Sequence, residues 1–102
     1  MESTTNQNNT NQTKVDQSEI DNFKKALYLD GNEENGLISD YLANAKQYVQ
    51  NAVSVDADLT KYQQYTFAVQ MLAQFWYQNR GIDMQKTPYQ VVSMIQQLRG
   101  FV

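Results

Sequence analysis

Apolar residues recur at helical spacing in four separate stretches of this chain. No stretch alternates apolar with polar residues for long enough to make a strand. The first helix is predicted to open where Ser18 can act as a cap with Asp21 three positions on, and Ile20, Phe23 and Leu27 repeat along one side. It is about two turns long and breaks in the turn-forming cluster Leu29, Asp30, Gly31, Asn32. The second is predicted from Glu33 to Val53. There Leu37, Ile38, Tyr41, Leu42, Ala45, Tyr48, Val49 and Ala52 make one broad face, and Asp40, Asn44, Lys46, Gln47 and Asn51 take the other. Glu33 and Glu34 then lie in its first turn, where acids favour the positive end of the helix dipole; Gly36 allows a start as late as Asn35 or Gly36.

A loop from Ser54 to Asp58 leads to a third helix predicted from Leu59 to Asn79 or Arg80, about 30 Å long at 1.5 Å per residue. Tyr65, Ala68, Val69, Leu72, Phe75 and Trp76 share one side of it. Arg80 suits the negative end of the helix and Gly81 the left-handed residue that commonly follows. After a linker from Ile82 to Lys86, Thr87 as cap and Pro88 as first helical residue open a short fourth helix. Val91, Met94, Ile95 and Leu98 line its inner side, and Gly100 stops it. The pattern predicts an all-α fold, a small bundle of three to four helices with short connections and antiparallel neighbours. Its predicted core is Ile20, Phe23, Leu27, Leu37, Ile38, Tyr41, Leu42, Tyr48, Val49, Tyr65, Val69, Leu72, Phe75, Trp76, Ile95 and Leu98.

The third helix carries a further signal. From Tyr62 to Asn79 it runs eighteen residues without a formal charge. Phe67 and Met71 extend its apolar arc, and the rest of the circumference is a glutamine stripe, Gln63, Gln70, Gln74 and Gln78. Amides can hydrogen-bond a neighbour without the desolvation penalty of burying Lys or Glu. The length would span a bilayer, but several unpaired amides in hydrocarbon and the lack of flanking basic blocks argue against it. The segment reads as a helix with neighbours nearly all round, either as the centre of a monomer or packed also against another chain. Gln63, Phe67, Gln70, Met71, Gln74 and Gln78 are the interface candidates. Asn79 and Arg80 join them, with helix capping as the alternative role for these two.

At 102 residues the chain has room for one modest core. Residues 1–15 are almost wholly Ser, Thr, Asn and Gln and are expected to be a flexible tail; residues 16–102 form the helical domain. The chain has neither Cys nor His, so disulfides, thiolate sites, the commonest general base and the commonest metal ligand are all missing. A net charge of −3 with eight scattered basic residues disfavours tight nucleic-acid binding by one copy. The start lacks the pattern of a secretory leader, and export is not expected. Asp30 to Asn35 places oxygens at alternate positions, but Asn35 and Tyr41 stand where a calcium loop needs its sixth-position Gly and twelfth-position Glu. The pairs Asp56 with Asp58 and Glu33 with Glu34 are ordinary solvated acids. No phosphate loop, nucleophile elbow or zinc spacing is present, so neither enzymatic activity nor a cofactor is expected.

Four pieces in order, LYLDGNEENGLISDYLANAKQYV, the Trp76-Tyr77-Gln78-Asn79-Arg80 helix ending, the Pro88 start and the closing VVSMIQQLRGF, resemble the small head–tail connector, or head-completion adaptor, of tailed bacteriophages. The likeness spans about Ser18 to Phe101. It implies a structural virion protein at the head–tail junction, assembled in the host cytoplasm as a homo-oligomeric, dodecameric ring. That ring would sit beneath the portal protein, join it to the next neck or tail-completion protein and help retain packaged DNA. DNA would pass through its lumen without sequence-specific binding, no membrane would be involved, and no catalytic residues are implied. The runner-up class is a small helical module that regulates a protein partner, and a nucleic-acid-binding regulator stands third.

Overall fold

In the computed structural model, residues 14–80 and 87–102 are described. They form α1 (Gln17–Ala26), α2 (Asn35–Val53), a short 3-10 turn (Leu59–Lys61), α3 (Gln63–Gln78) and α4 (Tyr89–Phe101). No strand occurs among the described residues, and the fold is an all-α bundle of four helices. Residues 1–13 of the expected flexible tail, Gly81 and the linker Ile82 to Lys86 lie outside the described residues.

The chain becomes structured slightly earlier than expected. Val15 already packs against the core, and the cap of α1 is Asp16, not Ser18. The Asp16 carboxylate accepts the Glu19 N–H at 3.1 Å while the Glu19 carboxylate accepts the Asp16 N–H at 3.0 Å, a reciprocal capping box. Asp21 is one methylene too short for the partner role assigned to it, and instead accepts from the Gln17 amide at 3.0 Å. The helix ends on a Schellman motif. Leu29 N–H bonds the Lys24 carbonyl and Tyr28 N–H the Lys25 carbonyl, with Tyr28 in the left-handed region at φ 57°. The next turn needs Gly31, at φ 78°.

The helix α2 starts after Glu34, so Glu33 and Glu34 precede its first turn rather than occupying it. Its buried side is Ile38, Leu42, Ala45 and Val49, together with the polar Lys46 and Gln50. Gln50 is buried because its amide donates to the Ser54 carbonyl and, at 2.8 Å, to the Ala57 carbonyl, which folds the connecting loop back onto the helix. The predicted continuous helix from Leu59 is broken at Tyr62, whose backbone is extended. Asp58 caps the 3-10 turn, Leu59 drives fully into the core, and the Tyr62 ring stacks on Phe101 with centroids 5.0 Å apart. The uninterrupted α3 is therefore about 24 Å long, shorter than the expected rod.

Pro88 stands just outside α4 as its cap, with ψ 146°, and its carbonyl accepts the N–H groups of Val91 and Val92. Thr87, expected to cap, instead shares a 2.9 Å hydrogen bond with the Tyr48 hydroxyl. The helix continues through Gly100 to Phe101.

Central α3 touches the other three helices. Tyr77 near its end meets Glu34 and Tyr41 at the beginning of α2, and Tyr62 before its start meets Phe101 at the end of α4. Both neighbours therefore run antiparallel to it. Next to α3, α1 runs parallel: Glu19 lies by Gln70 and Phe23 by Tyr77. The core contains Ile20, Phe23, Ile38, Leu42, Val49, Tyr65, Val69, Leu72, Trp76, Ile95 and Leu98, with Leu59, Val91 and the small Ala45, Ala68 and Ala73 between them. Leu27, Tyr41 and Phe75 pack against it while half-buried. Leu37 and Tyr48, placed in the core by periodicity, are 39% and 40% exposed. The apolar face of α2 is wider than the surfaces of α1, α3 and α4 that pack against it. Tyr48 lies at the edge, its ring against Trp76 and its hydroxyl outward on Thr87.

Candidate functional site

The buried side of α3 is set by Tyr65, Ala68, Val69, Leu72, Ala73 and Trp76. Steps of three and four residues then collect Gln63, Phe67, Gln70, Met71, Gln74 and Gln78 on the opposite side. That edge lies between α1 and α4, with one groove on each flank. The first groove, about 480 Å³, is lined by Asn22 of α1 and by Gln63, Thr66, Phe67, Gln70 and Gln74. The second, about 270 Å³, is lined by Met71, Gln74, Phe75 and Gln78 with Pro88 and Gln90. Gln74 borders both, so it forms the ridge between them. Among the described residues no formally charged side chain lines either groove.

Within the edge the candidates divide by what holds them. Gln70 is half-buried and committed inside the subunit, its amide donating to the Glu19 carbonyl of α1 at 3.0 Å and its oxygen accepting from the Gln74 amide at 3.0 Å. Met71 is half-buried against the core. Gln63 and Gln78 are exposed, and Phe67 is 60% exposed, a large apolar group in an uncharged rim. The edge thus has an internal half that fixes α1 and an outward half available for contact.

Asn79 and Arg80 do not join that surface. Asn79 is the residue that ends α3, its side-chain amide donating to the Phe75 carbonyl at 2.8 Å. The Arg80 guanidinium lies 4.4 Å from the Tyr77 ring centre. The Tyr77 hydroxyl donates to the Glu34 carboxylate, and that bond, followed by burial, raises its pKa, with Arg80 acting in the opposite direction. With Phe23 and Tyr41 edge-on to its ring at 5.3 and 6.3 Å, Tyr77 gathers the ends of α1, α2 and α3 into one aromatic joint. Trp76, Tyr77, Asn79 and Arg80 are therefore engaged within the subunit, while Gln78 between them stays exposed on the α3 edge.

The turn that imitates a calcium loop is occupied by a cation of the chain itself. The Lys24 ammonium donates to the side-chain oxygens of Asn32 and Asn35, each at 3.0 Å. Among the described residues no group of three or more acidic ligands converges on a point that could hold a metal. No helix among them is long and apolar enough to cross a membrane.

Sequence reasoning missed a second exposed apolar surface, on α4. Tyr89, Val92 and Phe101 are exposed there. The signal was available: Tyr89, Val92 and Gln96, at intervals of three and four, lie away from the inward Val91, Ile95 and Leu98, and exposed Arg99 continues the same side.

Residues 17–99 match the sequence model of the family described as phage gp6-like head-tail connector protein. No curated protein and no solved structure matches the chain. The matched span runs from the first residue of α1 almost to the end of α4, and so takes in every helix of the bundle and the whole glutamine edge. The chain belongs to the phage gp6-like head–tail connector family.

Proposed function

We propose that this connector acts as a closed ring of identical subunits, dodecameric when assembled, between the portal protein and the next neck component, and that the ring helps to retain packaged DNA. Family membership already makes the chain a structural component of the phage head–tail junction. The observation that supports assembly is the outward half of the α3 edge, where Phe67 stands largely exposed between uncharged amides. Such a patch is poorly served by water, and it contacts another protein surface without the cost of burying an unpaired charge.

The acidic balance of the chain fits the same reading. A lumen lined by more acids than bases repels phosphate and lets duplex DNA slide, whereas a basic lining would bind it. The partners are then other subunits, the portal and a neck or tail-completion protein.

The test is assembly of the full chain with and without portal protein, read by electron microscopy and light scattering. Because Gln70 and Gln74 are bonded inside the subunit, the charge belongs on Phe67 and Gln78. Phe67→Asp with Gln78→Glu is expected to keep the helical circular dichroism of the wild type and to abolish rings. Rings of normal size from that variant would remove the α3 edge from the interface.

A further inference from the structure

The junction between the α1–α2 turn and α2 carries a chemistry of its own. Of the asparagines in the sequence, only Asn35 precedes a glycine. The Cγ of an asparagine and the main-chain nitrogen of the next residue can close a five-membered ring, and a side chain on that next residue crowds the closure. Gly36 has none. It is exposed, and apart from its chain neighbours and its own helix backbone no atom comes within 4 Å of the place a Cβ would take. Its N–H is one of the donors left over at a helix start, and it bonds no acceptor among the described residues.

The fold opposes the same closure. Asn35 is the first residue of α2, and ring formation needs Cβ and the Gly36 nitrogen eclipsed about the Cα–C bond, whereas helical ψ holds them apart. The half-buried side chain is also held at both ends. Its Oδ1 accepts the Lys24 ammonium at 3.0 Å, and its Nδ2 donates at 3.3 Å to the Asn32 Oδ1, which itself accepts from Lys24 at 3.0 Å. Attack at Cγ therefore requires the first turn of α2 to open. That end has no side-chain cap, and helix ends open at a small fraction of the cost of global unfolding.

We infer that Asn35–Gly36 is a site of spontaneous deamidation whose rate is set by opening of the first turn of α2, with Lys24 and Asn32 as the clamp that keeps it shut. In the opened turn hydroxide takes the Gly36 amide proton, the nitrogen bonds to Asn35 Cγ, and the Cγ–Nδ2 bond breaks to release ammonia. One water then opens the cyclic imide. Cleavage between the nitrogen and Cγ leaves aspartate; cleavage between the nitrogen and the main-chain carbonyl carbon leaves isoaspartate. Water enters, ammonia leaves, and nothing is oxidised or reduced. Aspartate keeps the Lys24 ammonium as its partner, now in an ion pair, and brings an acid to a first turn that has none. Isoaspartate puts Cβ into the main chain and so breaks the register of that turn. Either product makes the net charge one unit more negative than −3.

The test follows the full-length wild type, Lys24→Met, Asn32→Ala and Asn35→Gln over time in mildly alkaline buffer, folded and in guanidinium. Trypsin cuts after Lys25 and Lys46, and the released peptide 26–46 carries Asn32, Asn35 and Asn44, which fragmentation in the mass spectrometer tells apart. A digest at time zero corrects for conversion during digestion, and circular dichroism checks that each variant is folded, so that either clamp variant serves if the other is not. The amide-to-acid mass gain is expected on Asn35 and not in Asn35→Gln, whose longer side chain closes a ring far less readily. In the folded wild type it is expected to accrue about tenfold or more slowly than in guanidinium, as for a reactive state populated at about 10% or less. Lys24→Met and Asn32→Ala are expected to speed the folded chain and leave the unfolded rate unchanged. No gain at Asn35 even in guanidinium would remove the site, and equal folded and unfolded rates would remove the control by α2. A folded rate unchanged in the clamp variants would remove the clamp, and so would a slower one, which would make the ammonium an activator of the amide carbonyl.

Discussion

At the scale of single residues, two termini of α1 show how local chemistry was chosen. At its start the Asp16 carboxylate is held below the usual range, first by the Ser18 hydroxyl and then by the Glu19 N–H. A carboxyl with a depressed native pKa contributes stability that is complete above its unfolded value of about 4 and is lost as pH falls through the native value. Asp16→Asn, which keeps an accepting oxygen but no charge, is expected to melt below the wild type at pH 7 and to converge with it as pH falls through the lowered native value of Asp16; parallel melting curves across the whole range would remove the charge from the account. At the other end, Tyr28 takes the left-handed position of a Schellman motif, where a side chain costs about 1 kcal/mol that glycine avoids. It recovers nothing inside the subunit, since it is 93% exposed. Tyr28→Gly is therefore expected to raise the thermal midpoint, by about 4 °C or somewhat more if most of that strain is relieved. A lower midpoint would mean that the unfolded-state entropy of glycine outweighs the strain.

At the scale of elements, the position of α1 depends on one acid. Glu19 closes the capping box, receives the Lys46 ammonium of α2 at 2.9 Å and offers its carbonyl to Gln70 of α3. Lys46 also donates to the Lys14 carbonyl at 2.6 Å, and so anchors the chain as it enters the bundle. Lys46 is buried while the Glu19 carboxylate keeps some contact with water, so replacing Lys46 by the apolar isostere Met is expected to cost about 1 to 2 kcal/mol, less than breaking a fully buried pair. In Glu19→Gln the box survives, because Gln serves at that position, and a double-mutant cycle with Lys46→Met is expected to return a coupling of about 1 kcal/mol. A coupling near zero in chemical denaturation would show that the ion pair is incidental to how α1 docks. The same elements show what was legible beforehand. Helix periodicity revealed the four-helix bundle, the inward side of each helix and the neutral edge of α3, because each of these repeats every three to four residues. By the same periodicity Lys46 belongs on the solvent side of α2, since the pattern contains no sign of a carboxylate brought to it from 27 positions away. The break at Tyr62 was hidden for a similar reason: Leu59 fits the helix pattern, and only the pull of the core and the Phe101 ring decides that it leaves that helix.

At the scale of the whole molecule, the arrangement of faces has a consequence that composition alone does not carry. In Trp76 to Arg80, the most distinctive segment in the sequence, Trp76, Tyr77 and Asn79 are engaged inside the subunit while Gln78 and Arg80 are exposed, and the proposed contact surface was legible only in part, as the exposed half of the α3 edge. The outer side of α4 was overlooked because Val91, Ile95 and Leu98 account so fully for that helix as a core element. In the proposed ring each copy presents two different faces, so loss of one stops growth without removing the other. Phe67→Asp, with the α3 edge as the lost face, is therefore expected to be monomeric alone, yet small amounts of it should join wild-type copies through the remaining face and cap them before closure. A two-fold contact through the edge predicts instead that the variant joins nothing and leaves wild-type assembly untouched. Sedimentation velocity of wild type with increasing fractions of the variant separates these outcomes, and rings that incorporate the variant freely would remove the α3 edge from the interface.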